Sequence, residues 1–199
     1  MNSINGRLIM DNTVNYYNDN AKEYFEFTLN ADMSENYAKF LKYLSEGSYI
    51  LDAGCGSGRD SKFFLSSGYK VKAIDASEEL CALASDYIGQ EVENIRFKDI
   101  NFNEVFDGIW ANASLLHVHK DEISEVIQKM RKALKDHGIF YASFKYGNTE
   151  RIQGPRYYND LDENSIKQLF SDFNILELWL SDDAIPGRTE RWVNIIAEK

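Results

Sequence analysis

Between Tyr49 and Asp60 the chain reads Tyr-Ile-Leu-Asp-Ala-Gly-Cys-Gly-Ser-Gly-Arg-Asp, an apolar strand pattern running straight into a glycine-rich turn. Ile50, Leu51 and Ala53 supply the buried run, and Gly54, Gly56 and Gly58 then remove every other side chain. Glycine reaches positive φ at little cost and lets a ligand lie against bare backbone. A helix starting just behind such a turn presents unpaired N–H groups that suit an anionic group. This pattern predicts an open α/β sheet with a nucleotide-type ligand at the carboxyl end of its first strand.

The spacing narrows the ligand. A dinucleotide fingerprint places its glycines as G-x-G-x-x-G. Here they fall as G-x-G-x-G, and Arg59 stands where the third glycine would be. The second strand, Tyr69 to Asp75, ends on a carboxylate roughly 20 positions beyond Gly54, where an acidic residue accepts from ribose hydroxyls. Asp52-Ala-Gly-Cys-Gly-Ser-Gly58 followed by Ala73-Ile-Asp75-Ala76-Ser77 resembles motif I and its sequel in class I S-adenosylmethionine-dependent methyltransferases. The resemblance extends over residues 13–199.

That resemblance implies a doubly wound Rossmann-like sheet of seven strands in the order 3-2-1-4-5-7-6, the last antiparallel. It implies S-adenosylmethionine as methyl donor, held by Asp52, Gly54, Cys55, Gly56, Gly58 and Arg59 of the turn and by Asp75 with Ala76. It also implies an adenine contact at Asp99 with Ile100. Asn112 and Ala113, after the fourth strand, are expected beside the transferred methyl.

The bulk numbers agree with one soluble domain. The chain has 199 residues, 44% of them hydrophobic and 27% charged. With 22 basic and 32 acidic residues the net charge is −10, which argues against a grip on nucleic-acid phosphates. No run approaches the ~20 apolar residues that span a membrane. No basic-then-apolar leader opens the chain, and two cysteines suit a reducing cytosol. No metal site is expected.

Met1 to Asn12 has little periodicity and is expected to fray. Thr13 to Thr28 and Met33 to Leu44 carry helical stripes, the second stopped by Gly47. In similar methyltransferases this segment, residues 13–47 here, forms a lid, which makes Tyr16, Tyr17 and Tyr24 candidates to touch donor or acceptor. Packing onto the sheet is the other role open to them. Asp60 and Ser77 are expected to cap the next two helices. Cys81 reads as core filler. Ile95 to Ile100 alternates as a third strand, Phe106 to Asn112 is the fourth and Ile139 to Phe144 the fifth. A helix over Glu122–Lys135 closes at Gly138, with His137 in the turn between. A short helix, Ser165 to Phe170, and two strands, Ile175 to Leu180 and Trp192 to Ala197, complete the pattern.

His117 is the histidine nearest the end of the fourth strand and is the candidate general base; capping the next helix or packing there are its alternatives. His119 reads as solvent-facing. Leu115 is expected near the methyl. The stretch after the fifth strand holds Lys145, Tyr146, Arg151, Arg156 and Tyr157, and its bases outnumber Glu150 to give a local +2. The loop between the last two strands adds Arg188, Arg191 and Trp192. Guanidinium forks beside aromatic faces suit an anionic or aromatic acceptor. Each charge taken singly also reads as ordinary solvated surface.

Methyl transfer from a sulfonium needs alignment above all, so the absence of an obvious acid–base pair does not speak against an enzyme. The fourth strand ends Asn112-Ala-Ser114, unlike the Asn/Asp-Pro-Pro-Tyr of amino-methylating nucleic-acid enzymes. No Pro-Cys pair sits there for attack on cytosine. A small molecule is the favoured acceptor. An RNA- or protein-directed transferase, a non-catalytic donor-binding module and a nicotinamide oxidoreductase remain as alternatives, the last disfavoured by Arg59. Oligomeric state is open.

Overall fold

The computed structural model describes residues 2–185 and 187–199, with side chains from residue 11 onward. Alternation along the first strand, β1 (Tyr49–Ala53), sets the layering. Ile50 joins the apolar layer that contains Phe40, Phe64, Ala84 and Trp110. Leu51 and Ala53 join the opposite layer, with Ile127, Met130, Ile166 and Phe170. A strand buried on both faces in this way belongs in the middle of a parallel sheet.

β1 pairs in parallel with β2 (Lys70–Asp75) on one side and β4 (Phe106–Ala111) on the other. β3 (Val92–Asn94) lies outside β2, and β5 (Leu134–Lys145) outside β4. A short hairpin, β6 (Glu150–Gln153) and β7 (Arg156–Asn159), stands apart from the sheet. β9 (Arg191–Glu198) runs antiparallel to both β5 and β8 (Asn174–Asp182). The seven-stranded order is β3-β2-β1-β4-β5-β9-β8. With the separate hairpin left out of the count, this is the doubly wound order expected from the sequence. The order reverses at β1, so a crevice opens beyond the carboxyl ends of β1 and β4.

α4 (Arg59–Ser66) and α5 (Glu78–Ile88) connect β1 to β3, and α6 (Lys120–Ala133) and α7 (Glu163–Leu169) cover the other face. Ahead of the sheet come α1 (Asn2–Asp19), α2 (Ala21–Thr28) and α3 (Ser34–Leu41). The helix expected from Thr13 thus begins well before it and breaks at Asn20. Met1 and Pro186 lie outside the described residues.

Three local expectations are corrected. The third strand is not Ile95–Ile100: β3 stops at Asn94, whose amide donates to the Asp75 carbonyl at 3.1 Å, and Phe97–Asp99 turns as a 3-10 helix. Asp60 does not cap α4, because Gly58 takes that position with φ +77°. His119 is not turned to solvent: it caps α6 by accepting from Asp121 N at 3.3 Å and stacks on Tyr157. Ser77 caps α5 as expected, accepting from Leu80 N at 3.2 Å.

Candidate active site

The glycine turn is shaped by what surrounds it. Gly54 has φ +79°, and a Cβ there would lie 2.5 Å from the Ser114 Cβ. Its N–H and that of Cys55 donate to the Ile74 carbonyl, at 2.9 and 3.0 Å, which ties the turn to the end of β2. Gly56 has φ +55°, and a Cβ there would meet the Tyr24 ring at 3.2 Å. Asp75, the last residue of β2, accepts from Gly56 N and Ser77 N, each at 2.9 Å. Burial pushes its carboxyl up while these N–H groups pull it back. Each oxygen keeps a lone pair for another donor.

Two cavities meet at this turn. The smaller, about 80 Å³, is lined by Asp75, Ala76, Leu80, Phe97, Tyr17 and His117, among others. The larger, about 220 Å³, continues past Cys55, Arg59, Asn112 and Ser143 to Trp192 and Asn194. Tyr24, Gly54, Gly56 and Ala113 line both. A carboxylate at one end, bare backbone in the middle and an apolar slot made by Leu80 and Phe97 fit an adenosyl donor. Asp75 would take the ribose, and the glycine turn would take the chain that leads to sulfur.

Arg59 and Asp60 build the back wall. Arg59 donates through Nε to Asp60 Oδ1 at 2.6 Å and through Nη1 to the Thr28 carbonyl at 3.2 Å. Asp60 also accepts from Tyr37 Oη at 2.5 Å, Trp110 Nε1 at 2.8 Å and Asn112 Nδ2 at 3.2 Å. Burial alone would raise this carboxyl; the Arg59 guanidinium and the surrounding donors hold it below the ordinary range. Asp52 takes the opposite course. Burial, with Asp60 adding to it, pushes its carboxyl up to about 8, against the Ser61 hydroxyl that donates to it at 2.6 Å. Asp52 lies behind the turn and lines neither cavity.

Beside the larger cavity a polar seam crosses the sheet. Asn112 Oδ1 accepts from Ser143 Oγ at 3.0 Å, and Ser143 Oγ accepts from Ala113 N at 2.8 Å. Tyr141 Oη donates to Asn194 Oδ1 at 2.9 Å, and Asn194 Nδ2 donates to Ser181 Oγ at 3.0 Å. Ser143, Ser181 and Asn194, with Asn36 and the Asp182–Asp183 pair, are cavity residues that the sequence reading missed. Polar residues inside the apolar runs of β5 and β9 were the available signal.

His117 is not placed as an open base. Its Nδ1 lies 2.7 Å from the Tyr157 carbonyl, so Nδ1 carries the proton. Nε2 lies 2.8 Å from the Tyr17 hydroxyl, which donates to it. Burial pushes the ring down to about 4, and it is neutral at pH 7. It faces the smaller cavity, away from Asn112 and Ser143. In this arrangement the ring ties α1 and the Tyr157 carbonyl to the turn after β4, and neither nitrogen is free to face an acceptor.

Several other expected site residues lie elsewhere. Asp99 is exposed in a groove with Lys98, Lys129 and Lys132, and Phe97 faces the smaller cavity in its stead; Ile100 is buried beside that groove. Gly58 is the α4 cap, and a Cβ there would lie 2.9 Å from Ile88. Leu115 is fully buried in the core. The cations expected around the acceptor are engaged with carboxylates or rings. Lys145 pairs with Glu190 at 3.0 Å, Arg151 with Asp160 at 2.6 Å, and Arg188 lies 4.0 Å from Asp183. Arg191 lies over the Tyr146 ring, and the Tyr157 hydroxyl donates to Glu150 at 2.8 Å. Of the acceptor set, only Trp192 lines the larger cavity.

Comparison with known proteins agrees with this geometry. Residues 50–138 match the family model described as a methyltransferase domain. An uncharacterized methyltransferase of Staphylococcus carnosus is 31% identical over 147 residues, 68% of this chain and 70% of that protein. An uncharacterized methyltransferase of Schizosaccharomyces pombe is 28% identical over 132 residues, 60% of this chain and 90% of that protein. Among solved structures, the 1,6-didemethyltoxoflavin N1-methyltransferase of Burkholderia thailandensis, with its acceptor and S-adenosylhomocysteine bound, superimposes with a TM-score of 0.79. It covers 98% of this chain and 89% of its own at 22% identity, a likeness of fold. Glycine spacing, strand order and sequence similarity agree: the chain belongs to the class I S-adenosylmethionine-dependent methyltransferases.

Proposed function

We propose that this methyltransferase acts on a small, planar, polar acceptor seated in the larger cavity. The carrying observation is the junction of the two cavities at Gly54, Gly56 and Ala113, which puts acceptor space directly beside the donor's turn. The aromatic form of the expected acceptor is kept, because Tyr24 and Trp192 both line that space. The anionic form is not, since Lys145 and Arg151 are held by carboxylates outside it. The net charge of −10 supports a small molecule over nucleic acid. In this reading residues 13–199 act as one catalytic domain, with 13–47 as its lid, in the cytosol.

The donor supplies an electrophilic methyl with a neutral thioether as leaving group. The protein's part is alignment, worth on the order of 7–11 kcal/mol in well-oriented reactions. Asp75 and the glycine turn fix one partner; Asn112, Ser143 and Asn194 offer hydrogen bonds that orient the other. With the donor bound, the acceptor's lone pair would bond to the methyl carbon while the carbon–sulfur pair stays on sulfur, and the acceptor's proton would pass to solvent.

Titration calorimetry with S-adenosylhomocysteine tests the donor site. Release of that product from S-adenosylmethionine across a panel of small heteroaromatics tests the reaction. Absence of product with every acceptor, despite donor binding, would favour a non-catalytic binding module.

A further inference from the structure

The bare backbone that the donor needs is covered by a ring. A Cβ built on Gly56 would stand 3.2 Å from Tyr24 Cε1, 3.7 Å from its hydroxyl oxygen and 3.9 Å from Cζ, so the phenol rests directly on that glycine. Tyr24 lines both cavities, as Gly54, Gly56 and Ala113 do. The ring therefore stands at their junction, where the chain leading to sulfur would run.

The sizes of the two spaces agree with a divided site. Small-molecule sites enclose about 300–1,000 Å³. The smaller cavity holds about 80 Å³ and the larger about 220 Å³, so neither reaches that range while the ring lies between them. The side of the ring with room is the larger cavity.

α2 sets the ring in this place and holds it there lightly. Thr28, one helical turn after Tyr24, donates through Oγ1 to Ser57 Oγ at 3.0 Å. Arg59 Nη1 donates to the Thr28 carbonyl at 3.2 Å, so the end of α2 is tied to the glycine turn. The ring itself meets Tyr17 edge to face at 5.0 Å, and among the described residues its hydroxyl has no hydrogen-bond partner. Turning it about its own side-chain bonds gives up ring contacts and no hydrogen bond, and α2 can stay where it is.

We propose that Tyr24 is a gate that closes the donor crevice over Gly56 and swings toward the larger cavity when the donor binds. This rests on the methyltransferase reading and adds a conformational step to its donor site. The adenosine end of the donor belongs to Asp75, Leu80 and Phe97 and does not need the gate to move. The amino-acid end crosses Gly56 and does. A ligand that fits only the open conformer shows an affinity lowered by the fraction of molecules that are open. The closed ring thus weakens the whole donor and its product and leaves adenosine unaffected.

The test uses the full chain and calorimetry with two probes, S-adenosylhomocysteine and adenosine. Tyr24→Ala and Tyr24→Leu both remove the ring, and leucine keeps an apolar, helix-favouring side chain on α2 should alanine loosen it. Both variants should bind S-adenosylhomocysteine roughly fivefold tighter than the unmodified protein, the worth of one aromatic contact no longer broken on binding. Their affinity for adenosine should stay within about twofold. Tyr24→Phe keeps the ring and drops the hydroxyl, and should match the unmodified protein with both probes. Weaker S-adenosylhomocysteine binding in the Ala and Leu variants would overturn the proposal, because the ring would then be a wall on which the donor rests. So would an unchanged affinity in both, an equal gain for adenosine, or a Phe variant that behaves like Leu. With adenosine still bound, any of these results removes the gate and leaves the methyltransferase reading standing. Failure of every form to bind either probe would remove that reading and the gate together.

Discussion

The Tyr17 hydroxyl donates to Nε2 of His117 at 2.8 Å, joining the first helix to the turn that follows β4. The other ring nitrogen is spent on the Tyr157 carbonyl, so the imidazole clamps three separate segments and has no lone pair left for an acceptor. Replacement by Phe keeps the ring volume and removes both bonds. We expect His117→Phe to lower stability by about 1–3 kcal/mol through the groups left unpaired, and to weaken the donor more than it slows transfer. Denaturant melts and a separation of kcat from KM check this. A collapse of kcat alone, with KM unchanged, would restore the general-base role.

The same clamp gives the protein an acid limit. In the unfolded chain an ordinary histidine titrates near 6.5, whereas His117 in the fold is pushed down to about 4. Between these values the unfolded chain binds more protons, so stability is highest above about pH 6.5 and falls as pH drops toward 4. The contribution is on the order of 2 kcal/mol after allowance for partial exposure of the ring. Thermal melts from pH 7 to pH 5, compared with His117→Phe, should show a shallower slope in the variant.

Asp60→Asn tests the back wall. The change leaves the Arg59 guanidinium buried without its carboxylate and disturbs the donors from Tyr37, Trp110 and Asn112. Breaking a buried pair from one side costs about 3–5 kcal/mol. A urea midpoint unmoved by the substitution would refute the assignment.

Two changes probe the donor end. Asp75→Ala should weaken S-adenosylhomocysteine by about 1–3 kcal/mol through lost charge-assisted hydrogen bonds. Gly56→Val should do more harm, since a branched side chain at φ +55° would meet Tyr24 and fill the junction of the cavities. Gly47→Val provides the control, because a Cβ there meets nothing within 4 Å. Calorimetry on all three ranks them, and equal affinities for the Gly56 and Gly47 variants would contradict the donor pose.

The glycine turn and the Asp75 carboxylate beside it were legible because their signals are local, whereas the adenine contact expected at Asp99 was not. Glycine spacing, the following helix and a carboxylate at the next strand end all lie within some two dozen residues, and the chain arranged them as the spacing implied. The acceptor side was not. Ser143 and Asn194 face each other only through the β5–β9 register, and Trp192 reaches the crevice only because β9 runs antiparallel to β5, which puts its first residues at that edge. Asp60 illustrates the limit within a motif. An Asp at the start of a helix reads as a cap, and nothing in sequence order says that Trp110 and Tyr37 will converge on it. Arg151 and Lys145 misled for a related reason, since their partners Asp160 and Glu190 sit in segments that read as plain loop.

The antiparallel entry of β9 has a practical consequence. It delivers residues 183–185 and 187–190 to the rim of the crevice, between the paired ends of β8 and β9 and on a different part of the chain from the glycine turn. Exchanging that stretch for one of another length and polarity would recut the entrance and leave the machinery for the methyl source standing. A designer wishing to retarget this scaffold has a replaceable cassette already marked out by the strand pairing.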